Sequence, residues 1–174
     1  MTILQHTIDT PYMVGPVHCY TVEMAGELVL FDTGPPTRNA REYLQKHIDF
    51  KRLRHVVMTH CHIDHYGLAA WLEQETEATI YLPYRDSLKI KRHETRLEEM
   101  YQCIRELGFS EEYLTELRRI LNSGVLFPPF PENFRITEEE LPAHLGPSGD
   151  RLPELSRPLA ERSGPDRRGL GRKR

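Results

Sequence analysis

The segment Thr59-His60-Cys61-His62-Ile63-Asp64-His65-Tyr66-Gly67 places three histidines and one aspartate within six positions. Imidazole nitrogens and a carboxylate oxygen are the donors that a borderline divalent ion such as zinc prefers. The plain alternative is a set of solvated histidines on a loop. Such density in so scarce a residue type favours the metal. An apolar, β-branched run (Val56-Val57-Met58) leads in, and the segment from Gly67 to Leu72 reads as helix. Alternate side chains of an extended chain share a face. His60 and His62 are therefore expected to converge on one ion while Cys61 faces away, which disfavours Cys61 as a ligand. Asp64 and His65 follow at the turn into the helix and can face a second ion.

The elements before the cluster must deliver it. His18 to Glu23 alternates like a half-buried strand, and Ala25-Gly26 makes a turn. Glu27-Leu28-Val29-Leu30-Phe31 is a continuous apolar strand, as expected for a covered sheet. It stops at Asp32-Thr33-Gly34-Pro35-Pro36. Thr37 can cap a helix running to Ile48, with Ala40, Tyr43, Leu44 and His47 on one face. The strand Val56 to Thr59 then carries the histidines. Asp32 has two readings: a carboxylate that caps turn amides, or one that orients a metal-bound histidine through its other ring nitrogen.

Order, spacing and flanks together (His-x-His-x-Asp-His with Thr before and Gly two places after) resemble the metal-binding signature of the metallo-β-lactamase superfamily. Phe31-Asp32-Thr33-Gly34 resembles that family's preceding motif. The resemblance implies an α+β fold: an αβ/βα sandwich of two mixed sheets with helices outside, built from two similar halves. It implies His60 and His62 on one ion, Asp64 and His65 on another, and Asp32 and Thr59 beside the metals rather than on them. Two zinc ions are expected in a complete site, with iron or manganese as alternatives. The implied chemistry is hydrolysis by a metal-held hydroxide, with Asp64 as the catalytic residue that orients the nucleophile or carries a proton. Family members with tRNA-processing nuclease activity usually have Gly where this chain has Ile63. His62 stands where the diiron flavoprotein branch usually has Glu.

Downstream, Ala78 to Leu82 reads as a strand ended by Pro83. From about 84 to 107 the pattern is helical, with Leu97, Met100, Ile104 and Leu107 recurring at three- and four-residue steps. Gly108 stops it, and Ser110 caps a second helix bearing Leu114, Leu117, Ile120 and Leu121. This helical hairpin, about 84–123, reads either as a lid or pocket wall or as a packing or dimerisation element. The basic run Lys89-Ile90-Lys91-Arg92-His93 could draw an anionic group or be a solvated face. An apolar connector with three prolines follows, then a brief extended segment at 134–137.

Composition changes at Pro142. The last 33 residues hold five Pro and five Gly and no aromatic or β-branched residue. Such a segment cannot bury enough surface to fold. The expected organisation is a domain over 1–141 and a disordered tail over 142–174. The net charge of −3 divides into −7 before position 142 and +4 after it. The basic tail could touch an anionic surface or be unstructured. The family's second half normally supplies two further histidines and a bridging aspartate. His144 and Asp150 lack that context, so those roles are not carried over to them. The expectation is an N-terminal half plus the hairpin, from a chain truncated or shifted in frame.

The acidic body suits a small ester, thioester or lactone better than a polyanion. A phosphodiesterase or nuclease of the same superfamily is one alternative; a non-catalytic half-domain with residual metal binding, able to pair into a homo-oligomer, is another. Nucleic acid is disfavoured as a partner. No apolar run approaches the ~20 residues needed to span a membrane, and no signal peptide is evident at the start. Three widely spaced cysteines (Cys19, Cys61 and Cys103) fit a reducing compartment, so a cytoplasmic protein is expected.

Overall fold

A computed structural model describes residues 2–24, 26–123, 127–141 and 145. The expected tail, with His144 and Asp150, otherwise lies outside the described residues. Residues 1–141 form one compact unit.

This unit is built on one six-stranded mixed sheet whose strands lie in sequence order. Strand β1 (Ile3–Ile8) pairs antiparallel with β2 (Val17–Met24), and β2 with β3 (Glu27–Phe31). From β3 onward every pairing is parallel: β3 to β4 (Leu53–Val57), β4 to β5 (Thr79–Leu82) and β5 to β6 (Phe134–Ile136). Parallel neighbours need helical crossovers, and right-handed crossovers stepping one way along a sheet stack their helices on one face. The chain follows this rule. Helix α1 (Arg38–His47) joins β3 to β4, and α2 (Ile63–Tyr66) with α3 (Ala69–Glu75) joins β4 to β5. Leu44 and Ala40 of α1 and Ala69 and Leu72 of α3 bury against Cys19, Leu30, Val56 and Ile80 of the sheet. A leucine, isoleucine or valine wholly buried in this way contributes ~1.5–3 kcal/mol relative to exposure.

Thr37 caps α1 as the sequence implies, its hydroxyl accepting from the Ala40 amide at 3.2 Å. Ser110 caps α6 (Glu111–Leu121) in the same way, accepting from the Tyr113 amide at 3.2 Å. Three features differ from the sequence reading. Strand β1 is absent from that reading, because its core face carries a polar residue, His6, whose ring finds the Thr21 hydroxyl at 2.8 Å. The long helix expected from 84 is two helices, α4 (Tyr84–Lys91) and α5 (His93–Glu106), parted at Arg92. No Gly or Pro marks that break; it accompanies the packing of His93 onto Phe127 and Phe130. Leu107, expected on the apolar face of the hairpin, is exposed, and Tyr101 is the buried residue of α5, under the Arg118 guanidinium. A short helix α7 (Thr137–Glu140) follows β6. No helix among the described residues is long and apolar enough to cross a membrane.

Candidate metal centre

Crevices at the carboxyl ends of parallel strands are where α/β sheets place ligands. Here β3 ends into Asp32 and β4 into the histidine segment. The two ends stay in ladder register beyond the strands: the Asp32 amide donates to the Val57 carbonyl at 3.0 Å, and the Met58 amide to the Tyr81 carbonyl at 2.9 Å. The paired strand stops at Val57, so Thr59 to His62 lie in the connecting loop rather than on a strand as expected from sequence. Cys61 is half-buried and packs against the hydrophobic core. Burial pushes its thiol up to about 12, so without a metal beside it the thiol stays protonated at neutral pH.

Asp32 organises the site. It is buried and holds a positive φ of 58°, a conformation that Asp tolerates better than most residues. Its Oδ1 accepts from the Thr59 amide at 2.8 Å. Its Oδ2 accepts from the Thr59 hydroxyl at 2.7 Å and from His65 Nδ1 at 2.9 Å. An ionised carboxylate only accepts. His65 therefore carries its proton on Nδ1 and presents the Nε2 lone pair. The Thr59 hydroxyl gives its proton to Asp32 and so accepts from His60 Nδ1, 3.0 Å away. His60 is thereby also set with Nε2 free. Asp32 thus selects the ring tautomer of two histidines, one directly and one through Thr59.

Those free nitrogens gather. His60 Nε2 lies 3.0 Å from His62 Nδ1. Two donors at ~2.0–2.1 Å from a tetrahedral ion stand roughly 3.3 Å apart, so the spacing suits a pair of ligands to one ion. The His60 and His65 rings are 4.2 Å apart, and Asp64 Oδ2 is 3.6 Å from His65 Nε2. Burial, then the neighbouring His65 and His62, hold His60 below the ordinary imidazole value, which keeps it neutral as a ligand must be. The donor chemistry fits a divalent metal. Among the described residues, no group of three or more His, Cys, Asp or Glu side chains is placed to hold a metal ion.

Several contributors are not singled out by the sequence. The Thr33 hydroxyl donates to the His65 carbonyl at 2.8 Å and accepts from the Leu68 amide at 3.1 Å, clamping the turn that aims His65. Thr33 stands in the Asp-Thr-Gly motif, but the motif alone assigns it no role. Asp86, buried at the start of α4, pairs with Lys89. Tyr12 lies within electrostatic reach of Asp64: its phenol is raised by burial first and by that carboxylate second. Tyr66 stacks on Phe130 at 4.6 Å and donates to the Pro128 carbonyl at 3.1 Å. Beside the cluster opens a cavity of about 710 Å³. Its lining includes His62 and Asp64 on one side and Leu97, Met100, Phe127 and Phe130 on the other.

Comparison with known proteins gives the family of the chain. A probable metallo-hydrolase of Bacillus subtilis (strain 168), YqjP, is 36% identical over 75 residues, 40% of this chain and 23% of that protein. A crystal structure of a metallo-beta-lactamase family protein from Thermus thermophilus superposes with a TM-score of 0.54 at 26% identity, covering 76% of this chain and 46% of the other. A beta-lactamase domain protein from Burkholderia ambifaria superposes with a TM-score of 0.53 at 16% identity, covering 77% and 40%. The chain thus spans less than half the length of each of these relatives. The family description of the metallo-beta-lactamase superfamily matches residues 12–153, and the chain belongs to that superfamily of metallo-hydrolases.

Proposed function

We propose that the chain carries the first ligand set of a hydrolase that uses a divalent metal, zinc in the first instance, on a small ester, thioester or lactone. His60 and His62 would hold one ion; Asp64 and His65 would contribute to a second. Iron and manganese suit the same donors. The observation that carries the reading is the tautomer relay from Asp32 to His65 and, through Thr59, to His60. A loop of solvated histidines has no need of such a relay. Metal-ligating histidines ordinarily have one.

When bound, such an ion lowers the pKa of a water and favours the oxyanion that develops on a carbonyl centre. The chain's own residues supply the rest. Asp32 and Thr59 hold the two Nδ1 protons in place. Asp64, half-buried at the cavity wall, orients the attacking water or takes its proton. The aromatic and aliphatic wall accommodates an apolar acyl group. That wall and the net −7 of the first 141 residues favour a small acyl substrate over a nucleic acid. Three free cysteines suit a reducing compartment, and the cytoplasm is the proposed one.

A second reading, a half-domain with residual metal binding and no turnover, is favoured because no group of three ligand side chains among the described residues is placed to hold an ion. One experiment separates the two: hydrolysis of a panel of thioesters and lactones by the zinc-loaded chain, with Asp64→Asn alongside. Turnover that falls by about 10²-fold or more in Asp64→Asn supports the hydrolase. Bound zinc with no turnover supports the second reading.

A further inference from the structure

The cavity beside His62 and Asp64 is two-toned. Apolar groups lead away from the cluster in a continuous path. Tyr66 stacks on Phe130 with ring planes 12° apart, and Phe130 meets the edge of the His93 ring at 5.9 Å. His93 in turn contacts Phe127 at 5.0 Å. One turn along α5 from His93 stands Arg96, followed by Leu97 and Met100, all lining the same space.

The cations near this wall are not equivalent. In the basic run 89–93, Lys89 is neutralised by buried Asp86, and Arg92 lies 3.5 Å from Glu99. The sequence leaves open whether that run draws an anion, and these pairs remove two of its charges. Among the described residues lining the cavity, Arg96 is the cation whose side chain makes no ion pair or hydrogen bond. An unpaired guanidinium is a rigid fork of donors that matches a carboxylate or phosphate in two-point fashion.

We infer that the cavity selects anionic amphiphiles: acyl esters or thioesters whose apolar chain lies along Phe130, Phe127, Leu97 and Met100 and whose far end bears an anion for Arg96. This rests on the hydrolase reading for the scissile bond at His62 and Asp64, and its own content is the pairing of an apolar path with a remote charge. Carboxylate and phosphate ends share the chemistry that Arg96 recognises.

The test uses the zinc-loaded full chain and two medium-chain thioether analogues that cannot be hydrolysed. One ends in a carboxylate and the other in an uncharged methyl ketone of the same length; a phosphate-ended analogue forms a third arm. Calorimetric titration is expected to show about tenfold tighter binding of the charged analogues, the worth of one charge-assisted hydrogen-bonded pair. Which of the two charged ends binds tighter identifies the anion. Arg96→Met keeps the apolar stem and is expected to bring the ratio near one. Lys91→Met, an exposed charge outside the cavity, is expected to keep it, and circular dichroism checks that both variants fold. Equal binding of charged and uncharged analogues by the wild type, or a preference that survives Arg96→Met, would overturn the inference. The matching thioesters are then assayed for turnover. A charge preference in binding with no turnover leaves the cavity reading standing and removes the hydrolase reading.

Discussion

Asp32 Oδ2 accepts a hydrogen bond from His65 Nδ1 at 2.9 Å, joining the end of β3 to the helical turn that follows β4. The same oxygen takes the Thr59 hydroxyl at 2.7 Å. One carboxylate thus fixes ring orientation in two histidines that are five residues apart in sequence. Asp32→Asn keeps the shape and tolerates the positive φ, but an amide cannot accept from all three donors. Metal affinity is expected to fall about 10–100-fold in Asp32→Asn. Competition against a zinc chelator, with wild type alongside, measures it.

Gly67 is needed for close approach rather than for an unusual backbone conformation. A Cβ there would stand 2.4 Å from Pro36 Cδ and 2.5 Å from the Ile63 carbonyl oxygen. Pro36 follows the Asp-Thr-Gly loop, so the contact presses the two site-bearing segments together. Gly67→Ala is expected to destabilise the fold by ~1–3 kcal/mol, or roughly 2–4 °C of melting temperature per kcal/mol. Thermal unfolding of the metal-free chain gives the value.

Much of this site was legible because it is local. The histidine cluster, the turn at Asp32 and the caps at Thr37 and Ser110 are each read from a few adjacent residues whose chemistry serves backbone groups nearby. What was not legible depends on partners distant in sequence. His6 belongs to the core only because β1 pairs with β2 and brings Thr21 to its ring. The helix break at Arg92 has no local breaker, and its counterparts are Phe127 and Phe130. The role of Thr33 emerges only when the β4 connection folds back over it. The expected placement of the histidines on a strand was wrong in one respect: β4 ends two residues early, and the loop that replaces it still brings His60 and His62 together.

The cysteines differ in reactivity for a physical reason. Burial pushes the Cys19 and Cys61 thiols up to about 12, while Cys103 is exposed on α5. The thiolate is the reactive form. Cys103 is expected to alkylate at least about tenfold faster than Cys61 at neutral pH. Timed iodoacetamide labelling with peptide mass spectrometry reads the order, and equal rates would show that Cys61 is not packed as described.

His6 makes stability depend on pH. Burial, then the charge of His47, lower its value from the ordinary 6.5. Between that lowered value and 6.5 the unfolded chain binds the proton that the folded chain refuses. This contribution is therefore fully present above about pH 6.5 and declines as pH falls below it. His6→Gln is expected to flatten that part of the profile, and urea midpoints measured on the two sides of pH ~6.5 check it.

The central claim is that Asp32, Thr59 and the four residues His60, His62, Asp64 and His65 together make a metal-binding unit. Metal content per chain after zinc loading and desalting, by elemental analysis, tests it most directly. About one to two zinc ions per chain are expected, reduced to background in the double variant His60→Ala/His62→Ala. Zinc at background in the wild type, or the same content in wild type and double variant, would contradict it.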